Sequence, residues 1–190
     1  MPALSKREQI VSVALELFYQ NGFHATGIDR IIKEAGVSKK TLYNHFRSKD
    51  ELVLAALRKR DELFRNNLMR KVERLSHVPK ERLLSMFDAI SDWINEKDFV
   101  GCMFINASAE YSEADNPSHI VCAEHKRLVR EYIRDLAVQA EMDKPEELSQ
   151  QLNLLIEGAI VDAHVSGNKL AATQAKEIAA MLINKNTTTK

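Results

Sequence analysis

An all-α fold is what this sequence predicts, and three observations predict it. Ala, Leu, Glu, Lys and Arg dominate, while only six Gly and four Pro punctuate 190 residues, a composition that favours helices. Apolar residues recur at helical spacing, three and four apart, rather than in alternation. Ser-x-x-Glu cap signals and prolines suited to first helical turns stand at the heads of those apolar runs. The expected architecture is a small three-helix head over residues 1–50, a long linking helix, and a helical body within residues 51–190, about nine helices in all.

Ser5 and Glu8 form a capping box ahead of Ile10, Val11, Ala14, Leu17 and Phe18, which share one helical face, and Asn21 with Gly22 ends this first helix. Thr26 and Asp29 are expected to cap a short second helix whose apolar stripe is Ile28, Ile31, Ile32 and Ala35, with Gly36 stopping it. Ser38 then N-caps a third helix, and Val37 is placed to pack on Leu42 as a hydrophobic staple. A three-residue turn, Gly36 to Ser38, thus joins two helices braced by a preceding one, the helix-turn-helix arrangement. Ser48 and Glu51 open a long helix that carries Leu52, Val53, Ala56, Leu63, Phe64 and Leu68 toward residue 75. Pro79, Pro117 and Pro145 sit just inside three further helix starts, where the missing N–H costs nothing. A shorter segment runs from Gly101 to Glu110, an Ala-rich helix from Ala171 to Ile183, and the polar tail Asn184 to Lys190 is expected to fray.

The formal net charge is zero, but the two parts of the chain differ in sign. Residues 1–74 carry 15 Lys and Arg against 9 acids, net +6, and residues 75–190 carry 12 against 18, net −6. Two cysteines are too few for a disulfide scaffold, and neither a leader-like apolar segment nor an 18-residue apolar run is present, so a soluble cytoplasmic protein with no membrane partner is expected.

On the third helix Leu42 and Phe46 are four apart and must face the core, which turns Lys39, Lys40, Tyr43 and Asn44 outward. Lysines near the start of that helix suit phosphates; Tyr43 offers a hydroxyl and a flat ring, and Asn44 or Thr41 can hydrogen-bond a base edge. His45 and Lys49 flank the same surface, and Ser38 and Lys49 lie at helix starts, where backbone N–H groups favour phosphate.

The stretch Gly22-Phe23 through Thr26, then Ala35-Gly36-Val37-Ser38-Lys39-Lys40-Thr41-Leu42-Tyr43-Asn44-His45-Phe46, with Lys49 and Leu52, resembles the TetR family of bacterial regulators. By that resemblance Thr26, Ser38, Tyr43, His45 and Lys49 would hold the phosphate backbone, while Lys39, Lys40, Thr41 and Asn44 would read or approach bases. Two positions depart from the family's habit, which often has a small residue where Lys40 stands and Ala where Ile32 stands.

The resemblance implies a repressor that binds a palindromic duplex as a homodimer, with recognition helices one DNA turn apart, about 34 Å, and that leaves it on binding a small-molecule inducer. Leu148, Leu152, Leu155, Ile156, Ala159, Ile160 and Ala163 make one stripe and Ala171, Ala175, Ile178, Ala179 and Leu182 another, and these are the expected dimer interface. Residues 82–132 are where the family encloses its ligand; Met86, Phe87, Ile90, Trp93, Ile94, Phe99, Met103, Phe104 and Tyr111, with polar Asn106, Glu110 or His125, are the candidate lining.

Two rival readings are carried. Cys102, within Gly101-Cys102-Met103-Phe104, resembles a Gly-Cys segment of thiol-sensing members, an electrophile or redox sensor on the same scaffold, although no Lys or Arg adjoins it in sequence. A helical enzyme using Glu110, Glu124, His125 and Glu157 would lack a Glu-x-x-His pair, a nucleophile signature and a phosphate loop. No cofactor is expected, and His119, Cys122 and His125, spread round their helix, are not expected to hold a metal.

Overall fold

The computed structural model describes residues 4–187. Among them are nine helices: α1 (Lys6–Asn21), α2 (Ile28–Ala35), α3 (Lys39–His45), α4 (Lys49–Leu75), α5 (Pro79–Ile94), α6 (Met103–Glu110), α7 (Pro117–Gln139), α8 (Pro145–Val165) and α9 (Ala171–Lys185). The three prolines each open a helix, as their spacing predicts, and the only β pairing among the described residues is an isolated bridge between Met142 and Thr187.

The chain forms two compact units, one of residues up to 63 with 103–125, the other of 64–102 with 126 onward. In the first, Ile10, Ala14 and Phe18 of α1 bury together with Ile31 of α2, Leu42 of α3 and Leu52, Val53, Ala56 and Leu57 of α4. Leu63, expected on the buried stripe of α4, is 41 % exposed; the inward position is Leu57, which is fully covered. Helix α1 begins with the full Ser5–Glu8 capping box. Its Gln9 amide donates to Ala35 O at 2.8 Å, tying the bracing helix to the end of α2.

Helix α2 departs from expectation at its start. Its N-cap is Gly27, without a side-chain bond, because the Thr26 hydroxyl donates instead to Gly22 O (2.7 Å) and Leu17 O (3.3 Å) at the end of α1. At its far end Gly36 adopts the left-handed conformation (φ 58°), and Val37 N–H returns to Ile32 O, a Schellman-type closure. Ser48 Oγ accepts the Glu51 N–H at the start of α4, but the Glu51 carboxylate reaches Arg47 N–H, one residue short of the expected box.

In the second unit α5, α8 and α9 pack on one another. Leu83, Met86, Phe87, Ile90 and Ile94 of α5 meet a core that includes Leu148, Leu152, Ile156 and Ile160 of α8 and Ala172, Ala175, Ala179 and Ile183 of α9. The alanines let helices approach closely. The tail is ordered further than expected: α9 runs to Lys185, Asp143 N–H donates to Asn186 O (2.8 Å), and Lys80 Nζ donates to the Thr187 hydroxyl (2.9 Å). Residues 188–190 of the expected fraying segment lie outside the described residues.

Candidate nucleic-acid interface

Helix α3 hangs on two anchors, Leu42 (fully buried) and Phe46 (2 % exposed), which set the rotation of everything between them. Lys39, Lys40, Tyr43, Asn44 and His45 are consequently exposed together. Arg7 lies over the Phe46 ring at 5.2 Å, closing the anchor from the α1 side. Ser38 Oγ accepts the Thr41 N–H at 3.0 Å and shares a 2.8 Å hydrogen bond with the Thr41 hydroxyl, so Thr41 is half-buried and engaged in the cap. Lys39 Nζ stands 3.9 Å from Asp29 Oδ1 across the turn, a loose and exposed pairing that leaves the ammonium accessible.

Thr26 requires a correction. It is fully buried and its hydroxyl is turned inward onto carbonyls at the end of α1, so its side chain does not face a phosphate. Lys49 Nζ donates to His24 O at 3.2 Å, joining the start of α4 to the turn before α2. That same turn is held from α6: Phe23 N–H donates to Glu110 Oε1 (2.9 Å), His24 N–H donates to Glu110 Oε2 (2.6 Å), and His24 Nδ1 lies 3.0 Å from Oε2. Glu110, expected to line a ligand pocket, is therefore engaged by the head. Tyr111 is drawn in beside it, its ring edge on Phe23 at 5.9 Å, and its burial, with Asp50 and Glu110 nearby, pushes the phenol up to about 12.

The remaining candidate pocket residues divide between the units. Met86, Phe87 and Ile90 are closed into the second unit's core, and Trp93 packs edge-on between Phe64 (4.9 Å) and Phe99 (5.1 Å). In the first unit Met103 is buried and Asn106 half-buried, while Phe104 stacks on His125 with centroids 3.6 Å apart. His125 Nδ1 meets Asp61 Oδ1 at 2.7 Å, an ion pair when the ring is protonated. A cleft of about 290 Å³ opens there, lined by Arg58, Asp61, Ile120, Val121, Glu124 and His125. The sequence offers His125 of these as a pocket residue and Glu124 only for the enzyme reading; Arg58, Ile120 and Glu124 are exposed and Asp61 and Val121 half-buried, so none of the others stands on a buried stripe that would mark a pocket.

Cys102 is buried, and the fold brings to it a cation that the sequence places 24 residues away: Lys126 Nζ lies 3.4 Å from the sulfur and 2.5 Å from Glu157 Oε2. Burial alone would push the Lys126 ammonium down, but the Cys102 sulfur and the Glu157 carboxylate outweigh it and hold its pKa above the ordinary lysine value. His119 Nδ1 pairs with Tyr111 O (2.8 Å), and among the described residues no group of three or more His, Cys, Asp or Glu is arranged to hold a metal ion. No helix among them is long and apolar enough to cross a membrane.

The expected dimer residues also need correction. Leu152, Ile156, Ala159, Ile160, Ala163, Ala175 and Ala179 are covered by their own chain, and Leu155 and Leu182 are half-covered, leaving Ile178 alone of that set exposed. The stripe with alanines is where α8 and α9 pack internally. A second apolar row remains exposed: Leu154 (73 %), Val161 (43 %) and Val165 (76 %) on α8 with Ile178 (48 %) and Met181 (70 %) on α9.

Comparison with known proteins meets this geometry at both ends. The family model described as bacterial regulatory proteins, tetR family, matches residues 10–56, and that described as tetracyclin repressor-like, C-terminal domain, matches residues 79–179. The HTH-type transcriptional regulator LmrA of Bacillus subtilis is 30 % identical over 159 residues, 82 % of this chain and 84 % of that protein. YjdC, an HTH-type transcriptional regulator of Escherichia coli, is 23 % identical over 82 % of this chain and 81 % of its own. The crystal structure of SCO4454, a TetR-family regulator from Streptomyces coelicolor, superposes with a TM-score of 0.87 at 27 % identity, covering 96 % of each chain. With its helix-turn-helix and most of its helical body both matched, the chain belongs to the TetR family of bacterial regulatory proteins and is a DNA-binding transcriptional regulator, not an enzyme.

Proposed function

We propose that the protein is a cytoplasmic repressor that binds a palindromic operator as a homodimer and is released by a small-molecule inducer, with residues 1–50 as the reading head and 51–190 as the ligand-binding and dimerisation body. The observation that carries this reading is the outward face of α3, where Lys39, Lys40, Tyr43, Asn44 and His45 stand exposed together on two buried anchors. Lysines serve phosphates, and Asn44 and Tyr43 offer the hydrogen-bonding groups and ring that base edges and methyl groups accept. One short helix makes too few contacts for specificity, and a two-fold pair reading half-sites about 34 Å apart supplies the rest. The exposed row of Leu154, Val161, Val165, Ile178 and Met181 supports a second copy as the partner, since such a row in water favours association. Repression is supported by the likeness of residues 79–179 to the tetracyclin repressor-like C-terminal domain. The cleft beside His125, about 290 Å³, is close to the lower size of ligand sites and mixes Ile120 and Val121 with Arg58 and Glu124.

The test is a binding selection from a pool of genomic duplexes, comparing wild type with Lys40→Ala plus Tyr43→Ala at fixed salt. The expected result is a short palindrome enriched by the wild type and lost in the variant. A folded wild-type dimer that enriches nothing above non-specific binding overturns the reading.

One observation favours a second reading, control through a thiol: the ammonium of Lys126 beside Cys102, a setting in which cysteines react. Alkylation with iodoacetamide that releases the selected duplex from wild type but not from Cys102→Ser supports it, and unchanged binding of the alkylated protein discards it.

A further inference from the structure

Glu110 makes three contacts with two consecutive residues of the head: its carboxylate accepts the N–H groups of Phe23 (2.9 Å) and His24 (2.6 Å) and faces His24 Nδ1 at 3.0 Å. Successive backbone N–H groups following a glycine of positive φ form a concavity suited to an anion, and here the chain's own carboxylate fills it. Gly22, at φ +83°, precedes the two donors, and a Cβ there would stand 3.0 Å from Glu110 Oε1. The His24 peptide is held from its other side as well, its carbonyl accepting from Lys49 Nζ at 3.2 Å. One residue of the turn thereby joins the last residue of α6 to the first residue of α4. Lys49 belongs to the surface assigned to phosphates.

We infer that Glu110 is a positioning residue for DNA binding: by clamping the Phe23–His24 turn it sets where Lys49 and the start of α2 meet the phosphate backbone. The inference rests on the DNA-binding reading above. A carboxylate is an odd residue to hold against a surface that receives polyanions unless it serves the protein itself. Electrostatics alone gives the opposite expectation for its removal: neutralising a carboxylate near phosphates strengthens binding. Positioning and simple charge therefore differ in sign.

The experiment uses the full-length protein and the duplex enriched by the wild type. Glu110→Gln keeps the side chain's shape but removes the charge and one of the two acceptor oxygens. Affinity is measured well below each variant's melting temperature across a salt series, with hydrogen exchange at the Phe23 and His24 amides and with Glu110→Asp as the conservative variant. The expected result is binding weakened about 10-fold, the change associated with losing hydrogen bonds to a charged group. Exchange at those two amides becomes faster, Glu110→Asp recovers part of the affinity, and the slope of log K against log salt is unchanged, since Glu110 touches no phosphate. Lys49→Met, by contrast, lowers that slope by about one unit. Equal or tighter binding by Glu110→Gln overturns the inference while leaving the regulator reading intact. A lower melting temperature with unchanged affinity overturns it too, reducing Glu110 to a structural role. Failure of the wild type to enrich any duplex overturns both, and is distinguished by occurring before any variant is made.

Discussion

Gly22 combines a φ of +83° and a ψ of 164°, a region essentially closed to side chains, with a carboxylate so near that a Cβ would crowd it. Gly22→Ala is expected to destabilise the protein by about 1–3 kcal/mol through the backbone alone, and a melting temperature equal to wild type would contradict the geometry. Tyr132 is the opposite case. Its hydroxyl is buried without a hydrogen-bond partner among the described residues. Burial, with Glu73 nearby and only partly opposed by Arg82, pushes it up to about 12. A phenol whose folded pKa lies above its unfolded value near 10 keeps the folded state stable below pH 10 and withdraws that contribution as pH rises from about 10 to 12. Tyr132→Phe is therefore expected to be neutral or stabilising by about 1 kcal/mol at pH 7 and to move the alkaline unfolding midpoint upward. A loss of stability at neutral pH would mean that the hydroxyl has a partner after all.

At the scale of helices, α8 and α9 each carry two apolar faces. One is closed by the chain itself; the other, through Leu154, Val161, Val165, Ile178 and Met181, is open. Leu154→Glu plus Val165→Glu is expected to yield a folded monomer by analytical ultracentrifugation, because charges on that face oppose a second apolar copy, whereas Ala159→Glu should unfold the chain, since Ala159 is buried within it. A dimer that survives the exposed-face changes would place the interface elsewhere. These two faces also mark where sequence reading stops. The period of apolar residues locates the helices, and the prolines at 79, 117 and 145 fix three starts to the residue, since both signals are local. Which of two apolar faces turns inward depends on neighbours far along the chain, and the alanines that suggest close approach to a partner serve the approach of α8 to α9 instead. The α3 face was legible because Leu42 and Phe46 fix its rotation within the helix itself. The roles of Thr26 and Glu110 were not: Thr26 is decided by carbonyls of α1, and Glu110 by a turn 86 residues away. Lys126 reaches Cys102 by the same kind of long-range closure.

For the whole molecule the controlling quantity is how charge is distributed rather than its sum. A formal net charge of zero resolves into +6 over residues 1–74 and −6 over the remainder, so the part that carries α3 attracts DNA while the rest does not. Two consequences separate cleanly in salt. Operator affinity should fall steeply, by about 10³-fold or more between 50 and 200 mM salt if the dimer neutralises six or more phosphates. Thermal stability over the same range should barely move, because ion pairs such as Lys39–Asp29 and Lys59–Glu62 are largely exposed and each contributes about 0–1 kcal/mol. Stability is carried by apolar burial in the two units, and binding, on the function proposed above, by exposed cations on one of them. A melting temperature that tracked salt as strongly as affinity does would show that the head's positive charge strains the fold. Parallel titrations of melting temperature and operator affinity on one preparation distinguish the two cases.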